Sequence, residues 1–231
     1  MSGVTRLIVV RHGNTFNAGD VILRVGGATD LPLTEKGLLQ GAAVGRALRD
    51  SGYQVDEICY APLLRTKQSA EGVGQSFPDA AMCPEEFLTE LDYGQDDGQP
   101  EADVVLRLGI AAMREQITPQ VTLDALREAG KAALGAWDAE AVLPAGWEFL
   151  SDRVARLPGQ WRSFASRWLA RHPGGTVAAV TSNGIARFSR ALLPDGQAPE
   201  GSLKLSTGAF GVYEYDGECW RCAAWNVRPA L

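Results

Sequence analysis

The sequence predicts an α/β fold: a three-layer sandwich with a mainly parallel central sheet, helices on both faces and a helical insertion over one end. Three observations predict it. Near-continuous apolar runs at 6–10 (Arg-Leu-Ile-Val-Val) and 176–181 (Thr-Val-Ala-Ala-Val-Thr) have the pattern of strands buried on both faces. Helix signals separate the strand candidates, and that alternation implies parallel strands with crossover helices. The stretch from about 99 to 171 breaks the rhythm with an extended helical pattern.

In chain order, the strand at 6–10 leads into a loop rich in Gly, Asn and Asp that runs to about Pro32. Thr34 is placed as an N-cap, with Glu35 in the first turn of a helix reaching about Asp50. Glu57 to Tyr60 is a second strand, and Pro62 is expected to open the next helix at its favoured first position. Within the insertion, Thr118-Pro119 and Pro144-Ala145-Gly146 mark breaks between helices. Its tryptophans, Trp137, Trp147, Trp161 and Trp168, are expected to be packing residues. After the strand at 176–181, Ser182-Asn183-Gly184 opens a helix through about Leu192, and 209–225 forms a hairpin turning at Asp216-Gly217. All 231 residues are read as one domain, with the insertion covering the ligand site.

Composition narrows the function. With 22 Lys and Arg against 28 Asp and Glu, the net charge of -6 argues against a nucleic-acid surface but leaves room for a small anion held by a few arginines. No apolar run is long enough to span a membrane. The first residues lack the apolar core of a signal peptide, so a cytoplasmic location is expected. Cys219 and Cys222 form a C-x-x-C pair, but residues three apart on a strand point to opposite faces, and no second pair or nearby histidine completes a metal site. Neither a metal nor another cofactor is implied. The apolar C-terminal hairpin is a candidate surface for a homodimer.

In open parallel sheets, ligands bind beyond the carboxyl ends of the strands. Two polar loops leave strands at that edge: Arg11-His12-Gly13-Asn14-Thr15-Phe16-Asn17 and Ser182-Asn183-Gly184. The chain has only two histidines. His12 is flanked by a permanent cation, which disfavours the imidazolium and keeps a ring nitrogen available as a nucleophile. His172 precedes its strand and so belongs to the opposite edge of the sheet.

Arg11-His12-Gly13 at the end of the first strand resembles the signature of the histidine phosphatase superfamily, the phosphoglycerate-mutase-like fold. The likeness continues in order through Thr15 and Asn17, Asp30-Leu31-Pro32-Leu33-Thr34-Glu35-Lys36-Gly37, Ala61-Pro62-Leu63-Leu64-Arg65-Thr66-Lys67-Gln68-Ser69-Ala70 and Leu88-Thr89-Glu90-Leu91-Asp92-Tyr93-Gly94. It implies that His12 accepts a phosphoryl group, that Arg11 and Arg65 clamp its oxygens, and that Glu90 donates the proton to the leaving group. It also implies polar substrate contacts from Thr15 and Asn17; independently of it, Asn183 can donate a neutral hydrogen bond to a phosphate oxygen, and Gly184 opens a helix whose N-terminus favours anions. Such a constellation suits a small-molecule phosphate ester, because phosphoryl transfer depends on positioning and cationic donors.

The chain departs from the family at one point: Asn183 stands where members normally have a second histidine. Asparagine donates only neutral hydrogen bonds, which are about half as strong as charge-assisted ones. Three functions follow. The first is a phosphatase with reduced or specialised activity. The second is a phosphoglycerate-type mutase, disfavoured because Arg107, Arg114, Arg127 and Lys131 are scattered through the insertion. The third is a phosphoester-binding protein that does not turn its ligand over.

Overall fold

The runs at 6–10 and 176–181 become the two central strands of a six-stranded sheet ordered β3-β2-β4-β1-β5-β6. The computed structural model describes residues 3–194, 197 and 202–231. Strands β1 (Thr5–Arg11), β2 (Glu57–Tyr60), β3 (Ala81–Pro84) and β4 (Thr176–Thr181) are parallel. β5 (Phe210–Tyr215) runs antiparallel to β1, and β6 (Trp220–Val227) antiparallel to β5.

Along β1 the side chains alternate. Ile8 and Val10 pack with Val44 and Leu48 of α1 (Glu35–Asp50) and with Ala70 and Val73 of α2 (Leu64–Gly74). Leu7 and Val9 face the insertion helices α3 (Glu101–Met113), α4 (Leu123–Glu140) and α5 (Ser151–Arg171). Both faces are therefore covered, which is why the central residues of β1 and β4 are apolar. The insertion shares one continuous core with the sheet, and Trp137, Trp147, Trp161 and Trp168 are all fully buried in it.

Thr34 is the N-cap of α1, its hydroxyl accepting from the Gly37 N–H at 3.1 Å. Two local expectations need correction. Leu63, not Pro62, precedes the first helical residue of α2, because the Leu63 N–H closes a turn onto Ala61 O at 2.8 Å. The helix after β4 is one α-helical turn, α6 (Asn183–Ala186), continued as a 3₁₀ helix through Leu192. Strand β3 carries no sequence signal: it is four residues long, largely exposed and ends on a proline, as edge strands can. Among the described residues, no helix is long and apolar enough to cross a membrane.

Candidate active site

The carboxyl ends of β1 and β4 lie side by side, Arg11 against Thr181. The loops leaving them frame a cleft of about 620 Å³ lined by Arg11, His12, Thr15, Asn17, Glu90, Asn183 and Gly184, among others. Seven of the eight residues expected from sequence thus share one cavity. The eighth, Arg65, lies behind it.

His12 is buried, held by its own N–H on Thr181 O at 3.0 Å and by the Gly208 N–H on its carbonyl at 3.1 Å. Its Nδ1 lies 2.8 Å from Gly13 O. A carbonyl only accepts, so Nδ1 carries the hydrogen and Nε2 keeps its lone pair. Burial, then the charges of Arg65 and Arg11, hold the imidazole well below its ordinary pKa and outweigh the opposing Gly13 hydrogen bond. At Gly13 a Cβ would overlap the Gly37 backbone, so glycines at both positions let α1 abut the loop.

Arg11 donates to Leu205 O at 2.6 Å and keeps a buried, unpartnered Nε. Arg65 is fully buried, with its terminal nitrogens on Thr29 O at 2.8 Å and Gly26 O at 2.9 Å and its Nε unpartnered. It therefore ties down the loop after β1 while its charge bears on His12. Asp97 holds the same loop through the Gly26 and Ala28 N–H groups at 3.1 and 3.2 Å. Glu90 is buried; its two oxygens accept from the Leu91 and Gly184 N–H groups, each at 2.9 Å. Thr15 and Asn17 sit at the more open side of the cleft, where Asn17 is exposed.

The family model for the histidine phosphatase superfamily (branch 1) matches residues 7–228. The chain belongs to this superfamily. Phosphoglycerate mutase from Bacillus anthracis superposes with a TM-score of 0.68 at 21% identity, over 97% of this chain and 94% of that one. Mycobacterial glucosyl-3-phosphoglycerate phosphatase gives 0.63 at 21% identity, over 96% and 98% of the two chains. Phosphoserine phosphatase from Entamoeba histolytica gives 0.61 at 16% identity, over 97% and 98%. At these identities the structures share the fold.

In this superfamily member, a charged cluster lies behind Asn183. Asn183 Oδ1 accepts from the Leu205 N–H at 3.0 Å, and its Nδ2 points to Asp138 at 3.4 Å. One turn further on, Arg187 is fully buried. Its Nε donates to Asn183 O at 3.1 Å, Nη1 to Trp137 O, and Nη2 to Asp138 at 3.0 Å. The guanidinium lies 4.4 Å from the Trp137 ring centre, and Lys204 Nζ reaches the other Asp138 oxygen at 2.6 Å. Burial works against ionisation of Asp138, but Lys204 and Arg187 overcome it and hold the carboxyl below its ordinary pKa. Trp137 is thus both a core residue and a wall of the cleft. Only α4 brings residues 137 and 138 to residue 187, so no local motif announces the cluster.

The geometry sets two expectations. A Cβ at Gly184 would overlap the Glu90 carboxylate. Gly184→Ala should therefore displace Glu90 and, on the expectation that Glu90 is the proton donor, lower kcat about 10²-fold with little change in melting temperature. Unchanged kcat in a phosphatase assay would refute that coupling. The second concerns pH. Because the folded-state pKa of His12 is depressed, the unfolded chain binds a proton that the native chain refuses below about pH 6.5. The stability contributed by neutral His12 is complete above that pH and is lost as the pH falls toward the folded pKa. Urea midpoints should therefore drop from about pH 6.5 to 5 more steeply in wild type than in His12→Gln. Parallel curves would contradict this.

Proposed function

We propose that this chain is a phosphatase that hydrolyses a small-molecule phosphate monoester through a phosphohistidine on His12. The observation that carries the reading is the state of that ring: buried, neutral, with Nδ1 committed to Gly13 O and Nε2 left bare beside two arginines. Nε2 attacks phosphorus while the ester P–O bond breaks, and Glu90 gives its proton to the departing oxygen. Glu90, now a carboxylate, takes a proton from water; the water oxygen attacks phospho-His12, and inorganic phosphate leaves with Nε2 restored. Arg11 and the positive field of Arg65 favour the charge on the non-bridging oxygens, with Thr15, Asn17, Asn183 and the Gly184 end of α6 completing the cradle. No metal enters these steps.

Hydrolysis is favoured over a mutase reaction by the insertion's share of the cleft lining, the cleft's further cations, Arg24, Lys36, Arg187 and Lys204, coming from other segments. The insertion contributes Glu101, Leu134, Trp137 and Asp138 to it, but no lysine or arginine to hold a bisphosphate. Arg127 and Lys131 instead pair with Asp124 and Glu128 on the surface of α4. The test is rapid-quench labelling with a panel of phosphate monoesters. The expected result is a label on His12 that is stable in base, labile in acid, and discharged at the rate of phosphate release. Thermal stabilisation by the esters without label or release would establish the binding-only alternative. Turnover dependent on added bisphosphate would establish the mutase.

A further inference from the structure

Away from the cleft, at the β3 edge of the sheet, three side chains meet that no sequence motif links. Cys59 of β2 and Cys83 of β3 are direct partners in the parallel register. Their sulfurs lie 3.0 Å apart. Glu57 Oε1 accepts from both thiols, from Cys83 at 3.0 Å and from Cys59 at 3.2 Å. We propose that Glu57, Cys59 and Cys83 bind a thiophilic divalent cation of the zinc or cadmium class.

The donor set is the first support. Two sulfurs and a carboxylate oxygen all lie within 4.8 Å of one another. Thiolates select zinc-like ions over magnesium or calcium. Tetrahedral zinc with bonds of about 2.3 Å would place the sulfurs about 3.8 Å apart. The sulfurs therefore need to separate by under an ångström, a small rotation about each Cα–Cβ bond. Access is the second. Cys83 and Glu57 line a surface cavity with Glu85, Arg167 and Arg171, so an ion and a water for the fourth position enter from that side.

Charge balance is the third support. The incoming M²⁺ displaces one proton from each thiol, so two protons leave, and the dithiolate–carboxylate complex carries a net charge of −1. Arg171, 3.7 Å from the same Glu57 oxygen, is placed to offset that charge. Cys219 and Cys222 lie in and beyond the β5–β6 turn and take no part.

The experiment is a titration of the reduced full-length protein with Cd²⁺, following the ultraviolet thiolate-to-metal band and proton release. One equivalent should bind with a micromolar or tighter Kd and release two protons. The double variant Cys219→Ser/Cys222→Ser should behave like wild type. Cys83→Ser should weaken binding at least 100-fold and Glu57→Gln about tenfold, with far-ultraviolet circular dichroism unchanged. Absence of a saturable band, binding that survives Cys83→Ser, or binding lost with Cys219 and Cys222 would each overturn the proposal. Because no step at His12 is involved, these outcomes are independent of phosphatase activity.

Discussion

His12→Ala is expected to reduce phosphate release at least 10⁴-fold while leaving oxyanion binding within about tenfold of wild type. The two effects separate because they rest on different groups. The imidazole would form the covalent bond, and no neighbour can substitute. Glu90 has its oxygens on the Leu91 and Gly184 N–H groups, and the nitrogens of Arg11 and Arg65 are permanently protonated and cannot attack. The charges that would hold the oxyanion remain: Arg11 with its unpartnered Nε, and Arg65. Folding should not suffer, since the variant removes a buried ring beside two cations and leaves the backbone bonds of residue 12 to Thr181 and Gly208 in place. The measurements are initial rates on the best monoester and a vanadate thermal-shift titration. Equal rates in both proteins would remove His12 from the chemistry. Loss of vanadate binding along with rate would make the residue structural.

His12 was legible because its signal is local. A strand pattern followed by Arg-His-Gly places a histidine at a carboxyl edge, and β1 ends there. Glu57–Tyr60 and Thr176–Thr181 were legible for the same reason, as apolar runs bounded by turn residues. What escaped depends on register. Cys59 and Cys83 are 24 residues apart and meet only because β2 and β3 pair in parallel with those two residues aligned. The motif around Arg65 is local, but its contacts with the Gly26–Thr29 loop, whose carbonyls accept from its terminal nitrogens, are set by tertiary structure. Asn183 was legible as an anomaly, and its meaning depended on what α4 carries to it. A helical insertion shows its core stripe in sequence, but not which polar residue at its end turns toward the cleft.

That residue is Asp138, and the cation it holds is the buried Arg187. Arg187→Met should lower kcat/KM about 10²-fold, equivalent to about 2.7 kcal/mol of transition-state stabilisation. Arg187 and Lys204 share one carboxylate, so the cluster behind Asn183 carries one net positive charge. A fixed charge there would polarise the Asn183 amide and favour a phosphoryl group gaining charge, the service a protonated histidine at 183 would otherwise perform. Removing Arg187 also strips donors from Asn183 O and Trp137 O, so a melting-temperature loss should accompany the kinetic one. Arg187→Lys separates the two: it keeps the charge but not the three-way geometry, and should recover more rate than stability. The sharper measurement is a double-mutant cycle with Asn183→His. In the wild-type background, Arg187 opposes protonation of a new imidazole, so Asn183→His should leave kcat/KM unchanged or lower it. In Arg187→Met the imidazole can take the proton, and the same change should restore part of the lost rate. Equal effects of Asn183→His in both backgrounds would mean that Arg187 and residue 183 act independently, and the charge substitution would be refuted.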